Sequence, residues 1–111
     1  MTYDNENIFA KILRSEIPCE KIFENEYIFS FKDINPKAKF HILIIPKKPY
    51  IDVLDFLENA DADYQSNFWI SVSKIIAQLD LKNKGFQIKT HKGEDGGQEV
   101  FHFHLHLLSD S

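Results

Sequence analysis

Three of the chain's five histidines, His102, His104 and His106, alternate in the segment VFHFHLHLL at residues 100–108. Alternate residues of an extended strand share a face, so this spacing predicts a strand with the three imidazoles on one side and Phe103, Leu105 and Leu107 on the other. One side offers chemistry and the other a core. Zinc accepts two histidines at i and i+2, but same-face neighbours stand about 6.6–6.8 Å apart, so His102 and His106 lie about 13 Å apart along the strand. One tetrahedral ion cannot take all three; a bend, or His41 as a third ligand, would rescue a two-histidine site. A phosphate ester suits the row better, because its oxygens and leaving group are spread over several ångströms. A neutral imidazole whose other nitrogen gives its proton to a carbonyl is a nucleophile near neutral pH. A second, protonated histidine can offset charge on phosphorus and pass a proton to the leaving group.

Just before this row, KGEDGGQ carries three of the four glycines. Read as plain loop it joins two strands. Placed beside the histidines, its backbone N–H groups are expected to cradle an anion.

The elements that must position these residues can be read along the chain. NENIFAKILRSEIP sets Ile8, Phe9, Ile12 and Leu13 at helical spacing, with Asn5 as cap and Pro18 beyond the end. KIFENEYIFSFKD reads as a hairpin turning at Glu24, Asn25 and Glu26, and FHILIIP as a strand that Pro46 ends. From Asp61 to Asp80, Tyr64, Phe68, Trp69, Val72, Ile75, Ile76 and Leu79 recur at spacings of three and four, which predicts the main helix with that stripe on the sheet. FQIKTHK, after Gly85, reads as a strand beside the histidine strand. The order predicts one α+β domain over residues 1–111, an antiparallel sheet of about five strands with a short N-terminal helix and a longer central one.

Composition narrows the classes of function. Thirteen basic and seventeen acidic residues leave a net charge of −4, no footprint for gripping a nucleic acid. No run of eighteen apolar residues predicts a membrane span, and the acidic start lacks the order of a secretory signal, so a cytoplasmic address is expected. Cys19 is the only cysteine, which excludes an intramolecular disulfide and a cysteine-rich zinc site. It reads as an ordinary buried or half-buried thiol.

HFHLHLL resembles the His-x-His-x-His-x-x signature of the histidine triad (HIT) superfamily. The longer blocks DGGQEVFHFHLHLL, DINPKAKFHILIIPKK and IFAKILRSEIPCEKIFENE are similar to its Hint branch in order and spacing. The resemblance implies a HIT-like fold, a homodimer, and hydrolysis of purine nucleoside phosphoramidates, such as adenosine monophosphate joined to an amine, with no required cofactor or metal. It implies that His104 becomes nucleotidylated, that His106 contacts the phosphate and assists the leaving group, that His102 supports them by hydrogen bonding, and that His41 lies near the triad. Asp33 matches a ribose-binding aspartate, and Ile8, Phe9, Ile17, Phe31 and Leu43 match the walls around the base, although periodicity alone would make each of them core. Gly97 falls in the phosphate-facing turn. Two positions depart from the pattern: His91 replaces an asparagine near the phosphate, and Glu99 replaces a serine whose hydroxyl can donate to the leaving group, which a carboxylate cannot. The chain ends at Ser111, where many relatives continue into a tail that shapes the partner's site. The three histidines equally serve a dinucleoside polyphosphate hydrolase or nucleotidyl transferase of the same superfamily, or a nucleotide-binding module with weak turnover.

Overall fold

A computed structural model describes residues 1–111. The chain forms α1 (Ile8–Leu13), β1 (Lys21–Glu24), β2 (Ile28–Lys32), β3 (Phe40–Pro46), α2 (Val53–Asn59), α3 (Ala62–Gln78), β4 (Gln87–Lys89), a 3-10 turn at Glu94–Gly96 and β5 (Leu105–Ser109). The five strands make one sheet in the order β1-β2-β3-β5-β4, with every neighbouring pair antiparallel. This is the expected α+β architecture.

Register divides the sheet into two faces. Directly paired residues share a face, so Phe31, Leu43, His106 and Lys89 form one row across β2, β3, β5 and β4, and His41 lies beside Leu108. The opposite face carries Ile28, Ile42, Ile44, Leu105 and Leu107, all buried against α2 and α3 in the main core. Phe68 and Ile75 of α3 are fully buried there, each contributing about 2–3 kcal/mol by removing its side chain from water. Phe56 of α2 stacks on Phe103 with ring centroids 4.8 Å apart and lies 4.9 Å from Phe68, which ties both helices to the segment just before β5. On the first face a smaller core of Phe9, Ile12, Phe31, Leu43 and Ile45 packs α1 against the strands.

Several expectations are corrected. The cap of α1 is Asn7, whose side chain accepts the N–H of Ala10, and not Asn5. α2 was not expected. Its signal is local: Asp52 caps it by accepting the N–H of Asp55, three residues on. The stripe on α3 is narrower than predicted, because Trp69 is 41% exposed while Tyr64, Phe68, Val72 and Ile75 are buried. The predicted strand FQIKTHK shrinks to Gln87–Lys89, the edge of the sheet. Most consequential for the site, the histidine row is not one strand. β5 starts at Leu105, so His102 and His104 precede it, and the backbone of this stretch is held by bonds outside the ladder. The N–H of Phe103 donates to the Tyr50 carbonyl at 2.7 Å, and the Thr90 hydroxyl donates to the His104 carbonyl at 2.7 Å.

Candidate active site

The bend before β5 gives the three histidines three different environments. His102 is fully buried. Its Nε2–H donates to the Pro46 carbonyl at 2.9 Å, and its Nδ1 accepts from the Tyr3 hydroxyl at 2.6 Å. The carbonyl can only accept, so it fixes the Nε2–H tautomer. Burial, which penalises the charged ring, pushes the pKa of His102 down to about 4. This histidine is neutral and both its nitrogens are engaged.

His104 is also buried, with Phe9 edge-on to its ring at 4.9 Å. Its Nδ1–H donates to the carbonyl of His102 at 2.7 Å. A carbonyl can receive only a hydrogen, so the proton of the neutral ring sits on Nδ1 and Nε2 keeps a bare lone pair. Burial lowers the pKa of His104, with the carbonyl opposing, and so keeps that lone pair available below the pH at which free imidazole is protonated.

His106, the one imidazole inside β5, shares a face with Leu43 and Lys89. Its Nδ1 lies 2.9 Å from Nε2 of His41. The N–H of Lys37 donates to Nδ1 of His41 at 3.1 Å, so the proton of a neutral His41 is on Nε2 and is given to His106. His106, accepting at Nδ1, carries its own proton on Nε2, on the side away from His41. Two successive donations thus set two tautomers. Asp33 Oδ2 lies 3.3 Å from the same His41 Nε2, while Asp33 Oδ1 accepts the N–H of Asn35. The Asp33–His41 contact is a close approach of a carboxylate to a neutral ring and not an ion pair, since burial lowers the pKa of His41 more than the carboxylate raises it. Burial, and then the neighbouring His104, His41 and His91, push His106 down to about 4.

Asp33, His41 and His106 are also the one grouping whose donor atoms, within 4.8 Å of one another, could hold a metal ion. Among these atoms His41 and His106 are joined by a hydrogen bond. His102, with both nitrogens held, offers no ligand atom to a zinc ion on the triad, and His104 offers only Nε2.

The glycine loop departs from expectation. The N–H groups of Gly96 and Gln98 donate to the Gly93 carbonyl, that of Gly97 to the Glu94 carbonyl, and that of Gly93 to the Gln98 side chain. The glycine N–H groups are consumed inside the turn, and those of Glu99 and Val100 are left without a protein partner. The glycines serve geometry instead: Gly93 and Gly97 have φ of 74° and 91°, a region costly for other residues. A Cβ on Gly97 would also come to 3.4 Å from the ring of His91. That ring lies 5.5 Å from His106, so His91 is brought into the site. Glu99 is exposed, and its charge reaches His104.

The apolar residues divide. Phe9, Phe31 and Leu43 are buried together and half-buried Ile17 packs on them, whereas Ile8 is 42% exposed and is not core. Cys19 is half-buried and burial raises its thiol pKa, which leaves it protonated. Sequence reasoning missed Tyr3, Thr90 and Gln98. The buried Gln98 side chain donates to the carbonyls of Ile51 and Val100 and anchors the loop. None of the three belongs to the histidine pattern that drew attention; only contacts across the fold expose their role.

Three buried histidines, one of which gives its hydrogen to a half-buried fourth, are joined by similarity along the sequence. The HIT domain model matches residues 14–111.

The chain belongs to the HIT family.

An uncharacterised HIT-like protein of Rickettsia prowazekii is 42% identical over 106 residues, covering 96% of this chain and 88% of that protein. Among solved structures, a HIT family hydrolase from Clostridium thermocellum is 34% identical with a TM-score of 0.85, covering 95% of this chain and 90% of the other. A histidine triad nucleotide-binding protein from Candida albicans is 35% identical with a TM-score of 0.78, covering 92% and 73% respectively. The HIT fold is therefore shown by both sequence and shape. No helix of this HIT protein is long and apolar enough to cross a membrane.

Proposed function

We propose that this chain is a nucleotide hydrolase of the Hint type that cleaves purine nucleoside phosphoramidates through a nucleotidyl-His104 intermediate. One observation carries the reading: the Nδ1 proton of His104 is given to the His102 carbonyl, which leaves Nε2 as a bare, buried nucleophile beside a second histidine, with ring centroids 5.1 Å apart.

In the first step the Nε2 lone pair of His104 attacks phosphorus, and the phosphorus–nitrogen bond to the amine breaks with its electron pair going to the amine. Binding of the phosphate anion opposes the depressed pKa of His106 and lets it take up a proton. The uptake is at Nδ1, with Asp33 Oδ2, 3.3 Å from the His41 nitrogen, left to face the His41 hydrogen, and the proton already on Nε2 passes to the departing amine. In the second step water attacks phosphorus, neutral His106 takes a proton from it, and the bond to His104 breaks with its electrons returning to Nε2. The free N–H groups of Glu99 and Val100 hold phosphate oxygens. Asp33 takes the ribose hydroxyls with the acceptor capacity that Asn35 and His41 leave over, and exposed Ile8 with Phe9, Ile17, Phe31 and Leu43 lines the base.

The same reading includes a homodimer formed through β4. It is supported by the unpaired outer edge of β4, whose residues Gln87–Lys89 are all exposed, and by exposed Ile88 and Trp69. Ser71 and Gln78 of α3 bond to the β1–β2 side of the sheet, so Trp69 lies on the opposite flank of the helix, toward β4. An Ile88→Lys variant is expected to elute as a monomer in gel filtration where wild type elutes as a dimer; a wild-type monomer refutes this part.

Intact-protein mass after mixing with an adenosine phosphoramidate tests the chemistry. The expected adduct has the mass of the nucleoside monophosphate moiety, persists in a slow His106→Ala variant and is absent in His104→Ala. Amine release at wild-type rate from His104→Ala overturns the reading. Faster cleavage of a dinucleoside polyphosphate than of the phosphoramidate reassigns the substrate.

A further inference from the structure

We infer that Tyr3 is a positioning residue for the nucleophile, acting through His102; the inference rests on the reading that His104 attacks phosphorus. Tyr3 lies outside every sequence block that marks the site, and yet its hydroxyl makes the longest-range bond in it, to a residue 99 positions away. The geometry forms a chain of three contacts. The Tyr3 O–H donates to Nδ1 of His102 at 2.6 Å, the opposite nitrogen of that ring donates to Pro46 at 2.9 Å, and the carbonyl of the same residue receives Nδ1–H of His104 at 2.7 Å.

A ring clamped at both nitrogens cannot rotate about its side-chain bonds without breaking a bond to a buried partner. The backbone of His102 is held by its own ring at one end and by the Phe103–Tyr50 bond at the next residue. Its carbonyl therefore stands still in front of the nucleophile. Tyr3 presents its ring edge-on to His102 with centroids 5.6 Å apart, and Phe9 lies edge-on to both His102 and His104. The groups around the hydroxyl are Asp4, Asn7 and Arg14 on its own side and the His102 ring opposite. Burial raises the pKa of Tyr3, which keeps the hydroxyl protonated and hence a donor over the working pH range.

Removing the hydroxyl leaves Nδ1 of His102 buried without a donor. The ring then gains by tilting or by binding a proton, and either response disturbs the carbonyl that holds the tautomer of His104. Loss of one positioning hydrogen bond predicts a fall in kcat of roughly tenfold. KM is expected to change less than about twofold, because Tyr3 touches neither phosphate nor base in this reading. Losing a donor that favours the neutral ring also raises the pKa of His102, so the acid limb of the rate profile moves to higher pH.

The test compares wild type, Tyr3→Phe, His102→Leu, the double variant and His104→Ala, each checked for folding by thermal melting. Rates with an adenosine phosphoramidate are read beside nitrogen-15 NMR of the imidazoles. Support consists of lower kcat at unchanged KM, a shifted Nδ1 signal for His102, loss of the single-tautomer signature of His104, and no further loss when Tyr3→Phe is added to His102→Leu. Rates within twofold of wild type and unmoved His104 signals in Tyr3→Phe, with His104→Ala inactive, overturn the role of Tyr3 and leave the nucleophile in place. Adduct formation by His104→Ala removes the reading beneath it.

Discussion

Replacing His41 by leucine tests the relay on which the tautomer of His106 depends. Leucine fills a similar volume, so the buried site stays packed, but it supplies no hydrogen for Nδ1 of His106 and no acceptor for the N–H of Lys37. Freed from its donor, His106 can place its proton on either nitrogen. In the proposed reaction, molecules with the proton on Nδ1 turn a lone pair toward the leaving group and must bind a proton at Nε2 before they can donate it. A hydrogen bond to a charged group contributes about 1.5–3 kcal/mol, so its loss predicts a fall in kcat of roughly 10- to 150-fold. The fold should lose about 1–2 kcal/mol for the stranded Lys37 N–H and His106 nitrogen, partly offset by the apolar replacement. Single-turnover formation of the His104 adduct, followed by rapid quench and mass measurement, reads the first step directly. A His41→Leu variant that forms adduct within twofold of the wild-type rate would refute the relay, and with it the tautomer assigned to His106.

Other outcomes follow from burial and backbone geometry. Burial holds the pKa of His102 at about 4 in the folded chain against the ordinary value of 6.5, so the unfolded chain binds more protons between these values. Stability is fully present above about pH 6.5 and is lost as pH falls toward 4, a difference on the order of 3 kcal/mol from this residue. Urea midpoints at pH 7 and pH 4.5 should differ accordingly, and a folded His102→Gln variant should show a shallower slope. Gly97→Ala forces an L side chain to φ 91° against His91 and is expected to cost about 1–2 kcal/mol by thermal melting, with kcat/KM falling about tenfold as the turn relaxes. Phe56→Ala removes the ring that joins Phe68 and Phe103 and should cost about 3–5 kcal/mol, measured by urea unfolding.

Patterns that depend on neighbours in sequence were legible; those that depend on neighbours in space were not. β3 was readable because FHILIIP is an apolar run closed by a proline, and α3 because its buried residues recur at helical intervals. Trp69 entered the predicted stripe because an aromatic side chain at the right interval looks the same whether or not a partner covers it. The alternation of His102, His104 and His106 suggested one strand, but alternation records only which side chains agree with a pleat. It does not show that Tyr50 and Thr90 compete for the backbone before Leu105. The association of Asp33, His41 and His106 spans 65 residues between the two histidines, and only pairing of β3 with β5 creates it. The glycine turn is legible in KGEDGGQ, but a sequence cannot tell which amides a turn spends on itself.

The two faces of β5 have an evolutionary consequence. His106 looks into the site while Leu105 and Leu107 on either side are buried in the main core. Sliding the strand by a single residue would put a polar imidazole among Ile42, Ile44 and Phe68 and would hand its place to leucine. Inserting or deleting one residue between Phe103 and Leu107 therefore has no intermediate outcome in which chemistry fades while the fold persists. Insertions and deletions compatible with activity in this architecture are confined to the loops and the chain start, where length can change without renumbering the strand.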